Sequence, residues 1–326
     1  MAEFNGGDPG DGSGVLYVVA APIGNAGDVS ERARAVLSSV GVIAAEDTRI
    51  ANSLLKSLGI AAKTVSYHKF NENYRADFIL DTLGRGIDVA IISDAGTPCV
   101  SDPGAIVVRA AAGRGFRVTP VCGASAVTAA LSVSGFDTDR FAFYGFLPKK
   151  ADDIIKAINA ARSAGGATGG TTGSAAAPGL KRDRAVAVFF ESPKRILKTL
   201  ALLAEIAPDS DVCLCNDLTK TYERIYRGAP SEVYAELAAN PSAEKGEYTL
   251  VIMLPIPPED KKGEIRPAPE SAIVEHMTKC GCAAKEAVGA LSAGGGYSRR
   301  ELYEASLNLK RLFGDAPAPD EDSSEK

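Results

Sequence analysis

The strongest constraint on this chain is the alternation of short apolar runs with helical stretches over its first 120 residues. Val15–Ala21 (VLYVVAA) is rich in β-branched residues and too short for a helix, so it predicts a buried strand. It breaks at Pro22-Ile23-Gly24-Asn25, and a helix is expected over about Val29–Ser39 with Asp28 as its N-cap. Strand Val42–Ala45 ends in Glu46-Asp47-Thr48-Arg49, and a helix then carries Ala51–Leu58. A short strand Lys63–Tyr67, a polar stretch His68–Asn73 and a helix to about Leu83 follow. Strand Val89–Ser93 leads into Asp94-Ala95-Gly96-Thr97-Pro98, and helix Gly104–Ala112 and strand Arg117–Pro120 complete the pattern. Strands separated by helices pair in parallel, and ligands of such sheets bind beyond the carboxyl ends of the strands. The three unusual loops PIGN, EDTR and DAGTP therefore belong on one edge.

At 326 residues the chain exceeds what one core supports. The fold class expected is α/β: a parallel-sheet N-terminal domain, a second domain with a mixed sheet, and a small helical module. The boundaries expected are a structureless lead 1–14, an N-terminal α/β domain 15–135 and a second α/β domain 136–256. A flexible Gly/Ala/Ser/Thr insertion at 163–180 interrupts the second domain between helix Asp152–Ala161 and strand Ala185–Phe190. A Pro-rich connector 257–270, a helical module 271–313 and a disordered acidic tail 314–326 end the chain.

The net charge of −5 conceals a division. Residues 1–14 carry −3 and residues 314–326 carry −4, which leaves the remainder at +2. That permits an acidic partner such as RNA without demanding one. No apolar run reaches the ~18 residues of a membrane span. The acidic, Gly-rich start has the layout of neither a signal nor a transit peptide. Cys213/Cys215 and Cys280/Cys282 are C-x-C pairs, tighter than the usual zinc spacing, so they read as reduced thiols of a cytoplasmic protein. No metal site is expected. The chain lacks G-x-G-x-x-G after its first strand, and it has no Walker A, H-E-x-x-H or G-x-S-x-G motif. With only His68 and His276 as histidines, no Ser-His-Asp triad is available.

Single loops here are weak signals: Gly24 can serve a turn, and Asp47-Thr48-Arg49 can be a helix cap with an ion pair. Their order is not weak. The segments LYVVAAPIGNAGDVSERA, AAEDTR, HKFNE, SDAGTPCVSDPG, GASAVTAALSVSGFDTDRF, GFLP, ESPKR, LTKT and KGE occur in one series. In this they resemble the tetrapyrrole-methylase superfamily, and within it the small-subunit (16S) ribosomal RNA cytidine 2′-O-methyltransferase family. The resemblance runs from about Leu16 to Leu254, and the helical end resembles that family's C-terminal module. The chain departs from the family pattern at Ala21, at Cys122-Gly123-Ala124, at Tyr144, and at Asn216-Asp217, where Arg-Glu is frequent.

The resemblance implies two α/β domains with S-adenosylmethionine between them and the small ribosomal subunit as partner, and it admits a homodimer. Carried over, the cofactor residues are Pro22, Ile23, Gly24 and Asn25; Asp94, Gly96, Thr97 and Pro98; Ser125 and Ala126; and Phe146 at the junction. Transfer of a sulfonium methyl to a ribose hydroxyl needs alignment and a proton acceptor. Asp47, His68, Glu72, Asp94, Lys220, Lys245 and Glu247 are the cleft-edge candidates, of which Asp47, Lys220 and Glu247 are expected to be catalytic. Arg49, Arg224, Arg227, Arg299 and Arg300 are expected to meet RNA phosphate. The competing readings are a related methylase acting on a small molecule or protein residue, and a non-catalytic ribosome-assembly protein.

Overall fold

Residues 12–167, 184–256, 268–293 and 297–313 are described by the computed structural model. Five short strands make a parallel sheet: β1 (Leu16–Val19), β2 (Val42–Ala45), β3 (Thr64–Ser66), β4 (Val89–Ile92) and β5 (Val118–Val121), in the order β3-β2-β4-β1-β5. Their unbroken apolar sequences follow from burial on both faces. On one side α3 (Glu72–Gly84) and α4 (Ala105–Gly113) set Ile79, Leu83 and Val107 against Leu16, Ala44 and Ile91. On the other, α1 (Glu31–Ser39) and α2 (Thr48–Ser57) set Val36, Leu37 and Leu55 against Val19, Ile43 and Ala90.

The start of α1 corrects the sequence reading. Asp28 closes a single 3₁₀ turn capped by Asn25, and the N-cap of α1 is Ser30, whose hydroxyl accepts from the Ala33 amide at 3.1 Å.

The second sheet has the order β6-β7-β10-β8-β9, built from β6 (Ala142–Phe146), β7 (Arg184–Glu191), β8 (Asp211–Asn216), β9 (Arg224–Gly228) and β10 (Tyr248–Pro255). Only β6 and β7 run parallel; the other neighbours are antiparallel. One face is covered by α6 (Ala151–Ala167), α7 (Ile196–Ile206) and α8 (Pro230–Ala238), whose Ile158, Leu200 and Leu237 pack with Phe189, Leu214 and Leu250. The other face is covered by α5 (Ala126–Ser134), which leaves the first sheet directly after β5. Its Val127, Ala130 and Leu131 pack on Val188, Cys213, Cys215 and Val251, together with Ile23 from the loop after β1. Both sheets therefore share one compact unit, which runs to Pro257.

The helix expected to stop at Ala161 continues to Ala167, so the Gly/Ala-rich segment begins inside α6. Residues 168–180 of that expected insertion lie outside the described residues, as do residues 1–11, 257–267 and 314–326 of the expected lead, connector and tail.

A second unit consists of α9 (Pro269–Cys280), α10 (Ala284–Ala293) and α11 (Arg299–Phe313) around Ile273, Ala287, Leu302 and Ala305. No helix among the described residues is long and apolar enough to cross a membrane.

Candidate active site

In the first sheet the chain turns one way after β1 and the other way after β4, and these strands are neighbours. Their carboxyl ends form the crevice where such sheets take ligands. Two backbone hydrogen bonds clip the loops together there: Ala21 N to Gly96 O at 2.8 Å and Gly96 N to Ala21 O at 3.1 Å. Thr97 donates to Ala124 O at 3.2 Å and adds the segment before α5. Ser93 donates to the carbonyls of Ala95 and Gly96 and fixes the turn from inside. The sequence-predicted loops thus meet, with Ser125 as the N-cap of α5.

The LTKT segment arrives from the second sheet. A Cβ on Gly24 would lie 2.4 Å from Lys220 Cγ and 3.0 Å from Leu218 O, so only glycine lets the loop after β1 reach this segment. Asp217 and Thr219 have φ of 52° and 66°. A left-handed β-branched residue is strained, and such strain concentrates at functional sites. The other two non-glycine residues with positive φ among the described residues, Cys99 and Ser101, lie in the loop after β4.

Lys220 Nζ bridges two carboxylates, Asp217 Oδ1 and Glu247 Oε2, each at 2.9 Å. Asp217 also accepts from the Glu247 amide at 3.2 Å. A side chain on Gly246 would run into the Asp217 carboxylate, 2.2 Å away, at a φ of +83°. Burial works to lower the Lys220 pKa, but the hydrogen bonds to Asp217 and Glu247 outweigh it and leave the amine above its ordinary value. Lys220 is therefore held as an ammonium and is a poor base. Asn216 is buried and donates to Glu247 O at 3.3 Å. It stitches the KGE turn instead of offering a charge.

A small hollow of about 30 Å³ opens between the sheets, lined by Ile23, Ala126, Cys215, Leu218, Glu247 and Thr249. Ile23, Ala126 and Glu247 were expected at the site; Cys215, Leu218 and Thr249 were not. Thr219 Oγ1, beside Gly24, is buried without a hydrogen-bond partner among the described residues.

Other expected residues have tasks within the fold. Asp47 caps α2 through the Arg49 amide at 2.8 Å and pairs with the Arg49 guanidinium at 2.6 Å. These bonds hold its carboxyl down at about 2, far too acidic to take a proton near neutrality. That gives Asp47 and Arg49 to each other before any RNA. Asn25 caps its 3₁₀ turn, and Arg227 donates twice to Val133 O, at 3.1 and 2.5 Å, at the end of α5. His68 accepts from the Phe70 amide at 3.2 Å, and Glu72 accepts from the Gly104 amide at 3.1 Å. Phe146 is 62% exposed, lies edge-on to Phe190 and is not part of the hollow's lining. Arg224 is exposed at the start of β9. Arg299 and Arg300 belong to the helical unit, where Arg300 pairs with Glu304 at 3.1 Å.

Sequence reasoning also missed a carboxylate cluster under the DAGTP loop. Asp94 Oδ1 accepts from the Asp47 amide at 3.0 Å. Burial, then the charge of Glu46, pushes the Asp102 carboxyl up to about 6. The folded state thus binds this proton more tightly than the unfolded chain, whose aspartate titrates near 3.8. Stability should fall as pH rises from about 4 to 6, and the cost should persist above that. Asp102→Asn is expected to raise the melting temperature at pH 7.5, by the equivalent of about 1 kcal/mol after allowing for solvent screening. The gain should shrink towards pH 4, and an equal shift at both pH values would contradict the assignment.

Residues 15–234 match the family model described as Tetrapyrrole (Corrin/Porphyrin) Methylases. The chain belongs to the tetrapyrrole methylase family. Among curated relatives of this methylase is "Ribosomal RNA small subunit methyltransferase I" of Neisseria meningitidis serogroup B, 38% identical over 91% of this chain and 94% of that one. The Bacillus subtilis protein of the same name is 35% identical over 90% of this chain and 94% of its own length. The fold recurs in a crystal structure of diphthine synthase, with a TM-score of 0.53, 14% identity, and coverage of 74% of this chain and 90% of that one. It recurs also in the methyltransferase CobJ, with a TM-score of 0.51, 16% identity, and coverage of 74% and 94%.

Proposed function

We propose that this tetrapyrrole methylase transfers a methyl group from S-adenosylmethionine to the 2′-oxygen of a cytidine ribose in small-subunit ribosomal RNA. The observation that carries this reading is the near-full-length likeness to small-subunit ribosomal RNA methyltransferases, 38% identical over 299 residues. The site is compatible with it. The close approach at Gly24 and the unpartnered Thr219 hydroxyl lie where the loop after β1 meets the LTKT segment, and the small Ala126 lines the hollow with Ile23 and Glu247, so backbone, one spare polar group and a carboxylate are offered to a ligand there. When bound, S-adenosylmethionine supplies a methyl group already activated on a sulfonium.

The chain's own residues then have two tasks. The clipped loops after β1 and β4 hold the reacting groups in line, which is worth up to ~7–11 kcal/mol for ideal alignment. Glu247, at the hollow and with an exposed carboxylate, accepts the ribose proton, while the Lys220 ammonium holds that carboxylate in place. A substrate on the ribosome sets the protein in the cytoplasm.

The test is transfer of labelled methyl groups to small ribosomal subunits from cells lacking the gene, followed by mass mapping of the RNA. Labelled cytidine ribose supports the proposal; label only on a small molecule or a protein residue overturns it.

RNA binding offers a further check. Residues 15–313 carry only +2, so affinity has to come from local clusters. Arg299→Ala with Arg300→Ala is expected to weaken subunit binding and to flatten its logarithmic salt slope by up to about 0.7–0.9 per lost phosphate contact. Cofactor affinity, measured by calorimetry, should not change. Equal loss of cofactor binding would remove the helical unit from the RNA-binding assignment.

A further inference from the structure

The methyl-transfer reading leaves one reactive cluster unused. Cys213 and Cys215 lie two apart on β8 and so share one face of the strand. Both are buried, at 0% and 1% exposure, and their sulfurs are 3.9 Å apart. We propose that this pair is a two-coordinate site for a soft monovalent cation, the cuprous ion being the physiological case.

Two metal–sulfur bonds of roughly 2.3 Å span about 4.6 Å in a straight line. The observed separation is slightly shorter, so small side-chain rotations open the pair to a linear bridge. Soft thiolates select Cu(I) and zinc among common cations, and zinc takes four ligands. Among the described residues no group of three or more His, Cys, Asp or Glu could hold a metal. Zinc is therefore short of ligands where a two-coordinate ion is not. The wall is apolar: Val127, Ala130, Leu131, Val186 and Val251 surround the thiols and offer nothing to a hard, hydrated ion.

Charge favours a monovalent occupant. Two thiolates and one cuprous ion leave −1, and Arg227 is the β-ladder partner of Cys213. Its guanidinium is fixed on Val133 O. The thiols already share a hydrogen bond, which lowers the Cys213 pKa; the same bond and burial push Cys215 up. On binding, two S–H bonds break, two Cu–S bonds form and two protons pass to solvent, while copper stays at +1. Entry is through the hollow, since Cys215 lines it. On the proposed function the ion is an inhibitor there; the binding test stands without that reading.

The test uses the full chain without oxygen, titrated with cuprous ion against a coloured cuprous chelator. The native chain is expected to withdraw one equivalent. Cys280→Ser with Cys282→Ser, which removes the other C-x-C pair, should withdraw the same amount. Cys215→Ala and the better-filling Cys215→Val should each weaken retention at least tenfold, with circular dichroism confirming that at least one is folded. No withdrawal by the native chain overturns the site, as does full retention by a folded Cys215 variant or loss only in the Cys280/Cys282 variant.

Discussion

Arg195→Ala is expected to cost about 3–5 kcal/mol of folding stability, the usual penalty for stranding a buried charge. The charge is that of Glu191, at the end of β7, whose side chain is fully buried. One of its oxygens meets Arg195 at 2.5 Å and the Ser192 amide at 2.6 Å; the other accepts from Thr199 at 2.8 Å. Arg195 also donates to the carbonyls of Leu147 and Pro148, each at 3.0 Å, and to Ser192 Oγ at 3.3 Å. Two motifs, ESPKR and GFLP, are thereby welded at the point where the chain leaves β6. Removing the arginine leaves the carboxylate without its cation and two carbonyls without a donor. Glu191→Gln should cost less, because Arg195 keeps partial contact with water. Glu191→Gln combined with Arg195→Met should recover much of the loss, since no buried charge then remains. Thermal and urea unfolding measure these differences; a loss below 1 kcal/mol in Arg195→Ala would show that water reaches Glu191.

How far such tasks were legible in the sequence depends on their range. The parallel sheet and its loop-bearing edge followed from local period and from the handedness of crossovers, and Asp47 could be read as a helix cap from its neighbours alone. Asp28 was misread by two residues because Asp and Ser both suit an N-cap and the intervening 3₁₀ turn left no periodic trace. The tasks of Arg195 and Arg227 were not legible. Their acceptors lie 47, 48 and 94 residues away, and an arginine bonded to a distant carbonyl looks in sequence like one waiting for phosphate. Cys215, Leu218 and Thr249 escaped for the same reason. They are ordinary strand and loop residues until α5 crosses from one sheet to cover the other and brings Ile23 and Ala126 onto them. Lys220 and Glu247 were legible as charged groups in marked motifs, but the division of labour between them was not. It depends on Asp217, whose carboxylate is admitted only because residue 246 is glycine.

That division sets the largest expected effect on turnover. Glu247→Gln should lower kcat by roughly 10²–10⁴-fold, the range for losing a positioned proton acceptor, while S-adenosylmethionine affinity stays within a few fold. Lys220→Ala should act differently. The raised pKa of the amine keeps it charged through the neutral range, so the variant loses a positioning residue and not a base. A fall in kcat of about tenfold, or 1.4 kcal/mol in activation free energy, is expected, smaller than for Glu247→Gln and with subunit binding nearly kept. Combining the two should give little beyond Glu247→Gln alone, because the lysine acts through the carboxylate it holds. Single-turnover transfer at saturating cofactor separates these cases from slow product release. Full turnover in Glu247→Gln would move the proton to another acceptor. Full turnover in Lys220→Ala would remove the LTKT segment from the reacting ribose. Additive losses in the double variant would mean that Lys220 meets the substrate directly.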